Sequence, residues 1–584
     1  MSNMIETAKN QVREMVMDAL GQLVAKGKIE NIPLPAFNIE RPADVSHGDF
    51  SCNAAMAFAK TLKSNPRAIG QMIAEEINLQ DTCFDKVDVA GPGFLNFYIS
   101  GSWFTDTVAS VIAEGEDYGK TDYGCDKKIL LEFVSANPTG PMHIGNARGG
   151  ALGDSLASLL QYAGFYVERE FYINDAGNQI EKFGKSLSLR YMQIADGNKA
   201  DVLKAYEGEE FCAKIFEDEE NFPMPDDVYK GVDIIEHAYN YYKINGDKLV
   251  NVNEEERKSA LVEYALPINI EGLERDLKKY RIVYDTWFRE STLHENGSVK
   301  EIVKLLTEKG HTYEQDGAIW FRASDFGDDQ DRVLVRANGI PTYFVPDIAY
   351  HYNKLVTRGF DKAIDILGAD HHGYVPRMKA ALTALGVDSA KLDVVIMQMV
   401  MLVRNGETVK LSKRSGKAIT LSTLLDEVPI DAARFFFNLR DPNTHLEFDL
   451  ELAIEESSNN PVFYVQYAHA RICSILRRLL EEGTEFKNVS ADKLSFTEPA
   501  ELALIRHIAA LPGTINEAAK DYNPAKITRY LYDLAQLFHK FYDTCKIKGE
   551  SEDVIQSRLS LCTATRTVFK NMLDLLKVEA PEKM

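Results

Sequence analysis

Apolar positions spaced three to four residues apart over residues 5–26 and 54–77 predict two amphipathic helices near the start of the chain. The run Gly93-Phe94-Leu95-Asn96-Phe97-Tyr98-Ile99 reads instead as a short strand. A Gly-, Asp- and Tyr-rich stretch at 115–125 reads as a linker, so residues 1–120 are expected to form a first, α+β domain. Beyond it, residues 129–134 make a continuous apolar run of buried-strand type. A Pro/Gly turn follows, then a helix over 146–162 that should bury Leu152, Leu156, Leu159 and Leu160, then a second strand over 166–173. Such a β-α-β unit is the building block of a parallel, doubly wound sheet.

Residues 184–275 are acidic and tyrosine-rich, with charge runs at 207–210, 217–220 and 254–256, and read as a helical insertion with a solvated face. The sheet pattern resumes at 319–321 and 333–335, and a strand over 363–367 runs into Gly368-Ala369-Asp370-His371-His372-Gly373. Residues 394–403 read as one further strand, and Asn405-Gly406 is a type I′ hairpin signal. From about residue 424 onward the pattern is helical. The expected organisation is therefore 1–120, an α/β domain over 121–455 carrying the insertion, and an all-α domain over 456–584.

At 584 residues the chain is too long for a single core, and its 45% hydrophobic content supports several. No apolar run approaches the roughly 20 residues of a membrane span, and the first residues lack the basic and apolar regions of a signal peptide. Seven scattered cysteines without a C-x-x-C pair argue against a disulfide framework and a structural zinc site, so reduced cytoplasm is the expected compartment. A net charge of −22 is awkward for a protein that grips nucleic acid. Residues 459–584, however, hold 17 Lys+Arg against 16 Asp+Glu, a net of +1, which leaves −23 on the remainder. A near-neutral terminal domain on an acidic body allows a polyanion to be gripped locally.

Two loops carry candidate chemistry. The first, Ser135-Ala136-Asn137-Pro138-Thr139-Gly140-Pro141-Met142-His143-Ile144-Gly145-Asn146, joins a sheet strand to a helix start, where free N–H groups and the dipole attract anions. Gly145 lets a flat group approach the backbone, and His143 and Asn146 can donate to phosphate oxygens. The second, Lys410-Leu411-Ser412-Lys413-Arg414, lies in a Gly-bounded segment whose two lysines can close over a triphosphate and neutralise charge developing at the α-phosphorus. Gly368 and Asp370, in the loop after a sheet strand, sit where such sheets contact nucleotide. Asp370-His371-His372 does not suit a metal, since adjacent side chains diverge and no further ligand completes a set.

The first loop with Ala147-Arg148-Gly149 resembles the "HIGH" signature region of the bacterial-type arginyl-tRNA synthetase family, and the second resembles its "KMSKS" loop. The segments 172–180, 284–288, 368–374, 431–436 and 460–471 are similar too, so the likeness runs through the whole chain. Asn146 stands where the signature ends in His, Leu411 replaces Met, and Arg414 stands where other class I enzymes carry Ser; hydrogen bonding and apolar character are retained. The resemblance implies a class I, Rossmann-like catalytic domain, an α+β N-terminal domain and an all-α anticodon-binding domain. It implies ATP-dependent ligation of L-arginine to arginine tRNA in protein synthesis, tRNA-dependent activation, Mg²⁺ with the nucleotide, no structural metal and a monomer. Catalytic roles fall on His143, Asn146, Lys410 and Lys413, and ATP contacts also on Gly145, Gly368, Asp370 and Ser412. Arginine contacts fall on Glu132, Asn137, Tyr343, Asp347 and His371. A planar guanidinium wants carboxylates in bidentate geometry, and Glu132 with Asp347 supplies two. Phe94 and Asn96 match positions that read a tRNA D-loop base, while Tyr464, Tyr467, Tyr542 and Met584 match anticodon-facing positions. The rivals are a sister enzyme such as the cysteine synthetase, whose zinc-ligand cysteines are missing, and a non-catalytic RNA-binding paralogue, which should have lost His143 or the lysines.

Overall fold

A computed structural model describes residues 3–42, 44–371, 373–409 and 419–584. The lysine segment 410–414 and His372 lie outside the described residues. The N-terminal body is an antiparallel sheet of β1 (Ile39–Glu40), β2 (Phe50–Cys52), β3 (Phe84–Ala90) and β4 (Phe94–Ile99), ordered β1-β2-β4-β3. The single helix expected over 54–77 is two, Ala54–Phe58 and Pro66–Glu76. Pro66 has no N–H to give a continuing helix, and Asn65 caps the new one by accepting from Arg67 N–H at 2.9 Å.

The centre of the molecule is a five-stranded sheet of β5 (Lys128–Glu132), β6 (Tyr166–Ile173), β7 (Thr286–Arg289), β11 (Lys362–Gly368) and β12 (Leu392–Met397). Its order is β12-β11-β5-β6-β7 and every neighbouring pair is parallel. Chain connections diverge on either side of β5 and β11, so the crevice beyond their C-terminal ends is the switch point where ligands bind in such sheets. The helix Ile144–Tyr162 crosses from β5 to β6 and buries all four predicted leucines.

Further expectations are corrected. Residues 319–321 and 333–335 do not extend the parallel sheet; β9 (Ala318–Phe321) and β10 (Arg332–Val335) join β8 (Thr312–Gln315) in a separate antiparallel sheet. The strand expected over 394–403 is split into β12 and β13 (Val400–Arg404). The latter joins β14 (Glu407–Thr408) and β15 (Leu446–Asp449), a strand inside a region expected to be wholly helical. Asn405 and Gly406, with φ of +52° and +78°, make the β13–β14 turn as their pairing predicts. The stretch 115–125 is no free linker either: Tyr118 is buried and its hydroxyl donates to Ile508 O at 3.1 Å.

The insertion is helical as expected, with Asn178–Ile194, Val232–Asn245 and Glu254–Lys279 sharing a core of Phe183, Leu187, Tyr191, Ile234 and Leu261. The C-terminal body is built of helices that include Pro461–Glu481, Ala525–Thr544 and Glu552–Leu575. Buried Arg434 ties it to the central sheet: its guanidinium reaches Asp154 Oδ2 at 2.5 Å on the first crossover helix and Leu576 O at 2.8 Å.

Candidate active site

Leaving β5, the chain turns through Val134 and Ser135 with φ of +68° and +39°, an unusual backbone for two non-glycine residues. Ser135 holds the turn: its hydroxyl donates to Glu132 Oε1 at 2.8 Å and accepts from Tyr172 N–H at 3.1 Å. The next helix begins at Ile144, and the side chain of Asn146 accepts from His143 N–H at 3.2 Å. At this helix start opens a cleft of about 640 Å³. Asn137, His143 and Asn146 line one wall; Gln179, Tyr229 and Asp233 line another, the last two from the helical insertion. A side chain added at Gly145 would meet no heavy atom within 4 Å, so the backbone there is open to a ligand. Ile144 N–H and Asn146 N–H are taken by Ile419 O and His143 O, at 3.1 and 2.9 Å, so it is the Gly145 N–H and the positive end of the helix dipole that this cleft offers a phosphate.

A second cavity of about 430 Å³ adjoins the first through shared Asn137 and Gln179, and adds Tyr172, Asn174, Asn178, Glu290, Tyr343 and Asp347. The Tyr343 hydroxyl accepts from Asn178 N–H at 3.2 Å, which fixes the ring across the cavity. Among the described residues no hydrogen bond or ion pair reaches the Asp347 carboxyl, so it does not cap its own helix, Phe344–Tyr352. Burial, with the charges of Glu290 and Glu132, pushes that carboxyl up to about 7 against the opposing pull of His351 and Lys354. Burial also raises Glu290. A cation entering this cavity would meet two carboxyls that gain by ionising against it. The role expected for Asp347, holding a guanidinium with its ionised carboxylate, predicts a KM for L-arginine about tenfold higher at pH 6 than at pH 8. A flat KM over that range would remove Asp347 from the binding step.

Glu132 is placed differently from the expectation. It does not line the cavity; Oε1 takes the Ser135 hydroxyl and Oε2 takes Lys354 Nζ at 2.5 Å. Lys354 also donates to Asp365 Oδ1 at 2.8 Å, and Asp365 Oδ2 meets His351 Nε2 at 2.7 Å. This is a buried charged layer directly behind the cavity. Gly368 ends β11 and Asp370 and His371 follow it; Asp370 and His371 are exposed, 3.7 Å apart, and line neither cavity. Glu290, Gln179 and Tyr172 were not picked out as site residues from sequence. The one available signal was position, Tyr172 and Gln179 lying within the segment 172–180 and Glu290 just after 284–288.

Residues 107–473 match the family described as tRNA synthetases class I (R), catalytic domain; residues 10–99 match the arginyl tRNA synthetase N terminal domain, and 465–584 the DALR anticodon binding domain. This chain belongs to the arginyl-tRNA synthetase family. An arginine–tRNA ligase of Acetivibrio thermocellus is 48% identical over the whole of both chains, and that of Bacillus subtilis is 43% identical, again over the whole of both. The Thermus thermophilus arginyl-tRNA synthetase structure superposes with a TM-score of 0.71 at 22% identity, covering 98% of this chain and 99% of its own, and so shares the fold.

The RNA-contact positions that arginyl-tRNA synthetase resemblance implies are unevenly displayed. Phe94 is exposed, but Asn96 is buried and its side-chain oxygen accepts from Ser51 Oγ at 2.8 Å, so of these two positions it is Phe94 that stands at the surface. Tyr464 and Tyr467 sit with His539 at ring distances of 5.1 and 6.0 Å, and Arg471 lies 4.4 Å over the Tyr542 ring. Met584 is exposed, and the residues before it are held by Arg477 and His469 through the carbonyls of Glu582 and Pro581. Sequence reasoning missed Arg471 and His539. Arg471 follows Tyr467 by one turn of the same helix, whereas His539 reaches the tyrosines only because Ala525–Thr544 packs on Pro461–Glu481.

Proposed function

We infer that the chain charges arginine tRNA in two steps. The arginine carboxylate attacks the α-phosphorus of ATP, pyrophosphate leaves, and a hydroxyl of the terminal adenosine of the tRNA then attacks the carbonyl carbon of the adenylate and releases AMP. The observation that carries the reading is the open pair of cavities: an anion-favouring helix start in one, and unpaired Asp347 with Glu290 in the other. The cavities share Asn137, so a ligand whose α-amino end lies there can reach the carboxyls with its guanidinium and the helix start with its carboxylate. Within that reading Asn137, Tyr343 and Asp347 hold arginine, with Glu132 acting from behind through Ser135 and His371 near the α-amino end. His143, Gly145 and Asn146 hold ATP, joined by Gly368 and Asp370 and by Lys410, Ser412 and Lys413. Mg²⁺ travels with the nucleotide and neutralises phosphate charge.

The RNA side of the reading assigns Phe94, Tyr464, Tyr467, Tyr542 and Met584 to tRNA, the tyrosines by stacking on unpaired bases, with Asn96 holding β4 to β2 through Ser51 rather than meeting a base itself. It assigns domains 1–120, 121–455 with its insertion at about 184–275, and 456–584. The chain works as a cytoplasmic monomer; among the described residues no helix is long and apolar enough to cross a membrane. A cysteine-type cavity would have no use for Asp347 and Glu290, and a non-catalytic paralogue no use for His143 and both lysines. ATP–pyrophosphate exchange, run with each of the twenty amino acids with and without arginine tRNA, tests all of this. Exchange with arginine alone, and only with tRNA present, is the expected result. Exchange with another amino acid overturns the arginine assignment, and none under any condition favours the non-catalytic paralogue.

A further inference from the structure

Arg148, in the second turn of the helix that starts the nucleotide cleft, is fully buried, yet among the described residues it has no carboxylate partner. Its Nη1 donates to Gln398 O at 2.6 Å and Thr444 O at 3.0 Å, its Nη2 to Asp441 O at 3.1 Å, and its Nε has no partner. A buried cation satisfied only by main-chain carbonyls is expensive, so its position calls for a return. The three carbonyls sit at informative places. Gln398 precedes β13, Asp441 and Thr444 precede β15, and these two strands pair in parallel. From β13 the chain turns through Asn405-Gly406 into β14, and two residues later the sequence reaches Lys410.

The other end of that lysine segment is also tied to the same helix. Ile144 N–H donates to Ile419 O at 3.1 Å and Leu421 N–H donates to Met142 O at 2.9 Å, an antiparallel bridge between His143 and Thr420. The stems on both sides of residues 410–418 are therefore fastened to one helix, by its first residue on one side and by Arg148 on the other.

We propose that Arg148 is a positioning residue for adenylate formation, setting the small β14-β13-β15 sheet, from which the sequence runs on to Lys410, at a fixed distance from the helix start that carries His143 and Asn146. It touches no substrate. The planar guanidinium spans the entries of two strands at once, which a lysine's single nitrogen cannot do. A displacement of about 1 Å between groups that act on one triphosphate can cost about a hundredfold in rate. The proposal rests on the ATP-dependent reading above.

The test is tRNA-supported ATP–pyrophosphate exchange with the full chain, Arg148→Lys and a matched control, Arg190→Lys. Arg190 is also buried, and donates to Phe222 O at 3.0 Å and to Gln193, in the helical insertion. Arg148→Lys is expected to raise the KM for ATP about fivefold or more and lower kcat about tenfold or more, with the KM for arginine unchanged within about twofold. Arg190→Lys is expected to lower the melting temperature without separating the two KM values. An Arg148→Lys enzyme that loses only melting temperature, or whose two KM values rise together, overturns the proposal. Should Arg148→Lys not fold, Asn523→Ser decides instead. Asn523 Nδ2 steadies the same loop by donating to Asp441 Oδ1 at 2.9 Å, and its loss should give a smaller shift in ATP KM alone; no shift overturns the proposal. An unsubstituted chain that shows no exchange removes the ATP reading itself, a result distinct from an active parent with a normal Arg148→Lys variant.

Discussion

Asp347→Asn should all but abolish arginine activation while making the protein more stable. The carboxyl faces the cavity without a partner and is held at about 7 rather than near 4, so it is kept in a place that penalises its charge. The linkage has a definite sign. Below pH about 4 the group carries its proton in both folded and unfolded chains and costs nothing. Between pH 4 and 7 only the unfolded chain releases the proton, and stability falls as pH rises. Above pH 7 the full penalty, up to about 4 kcal/mol, is present. Asparagine has no charge to penalise, so the variant should melt higher than the parent at pH 8 and equally at pH 4. With Asp347 holding the guanidinium as proposed, the same substitution removes its charged acceptor and should lower kcat/KM for arginine about a hundredfold or more. Equal melting at pH 8, or an unaltered KM for arginine, would each contradict this account of the residue.

The second large effect lies one layer deeper. Lys354 is wholly buried between Glu132 and Asp365; burial opposes its charge, but Asp365, Glu132 and Glu170 outweigh that and raise its pKa. Lys354→Met leaves buried carboxylates without their cation, and breaking a buried pair from one side costs about 3–5 kcal/mol. A steep fall in melting temperature, or failure to accumulate as soluble protein, is therefore expected. Neutralising the whole set, Glu132→Gln with Lys354→Met and Asp365→Asn, should recover most of the lost stability, because a neutral packed layer carries no desolvation penalty. Unchanged melting of Lys354→Met would show the layer to be far better solvated than its burial implies.

Much of this architecture can be read from residue order because the decisive signals are local. The strand at β5, the helix after it and β6 follow from one apolar run, one Pro/Gly turn and one amphipathic period, and Asn405-Gly406 specifies its own turn. The break at Asn65-Pro66 was equally local, a capping residue before a proline inside an otherwise helical period. Other features are set by distant partners. Nothing between Met397 and Val400 announces that one apolar run becomes two strands in two sheets; the carbonyl of Gln398 is drawn to Arg148, 250 residues earlier in the chain. Strand β15 is four residues long and exists because β13 lies beside it. In the site, the first signature was legible as a strand-to-helix turn, and Asp347 as an acid at a helix start. The engagement of Glu132 by Lys354 was not, since the two are 222 residues apart. Glu290 was missed for the same reason: its part in the cavity comes from β7 docking on β6.

The order β12-β11-β5-β6-β7 has a consequence for biosynthesis. Strand β5, with Ile129, Leu130 and Leu131 all buried in the finished sheet, gains β6 on one side within a few dozen residues, but its other edge is covered only by β11, about 230 residues later. At about 5–20 residues per second, the ribosome leaves that edge open for roughly 10–50 s. An uncovered apolar strand edge is a template for wrong pairings. The helical insertion accounts for a large share of the delay, so its length sets how long a nascent chain must be shielded before its nucleotide-binding sheet can close.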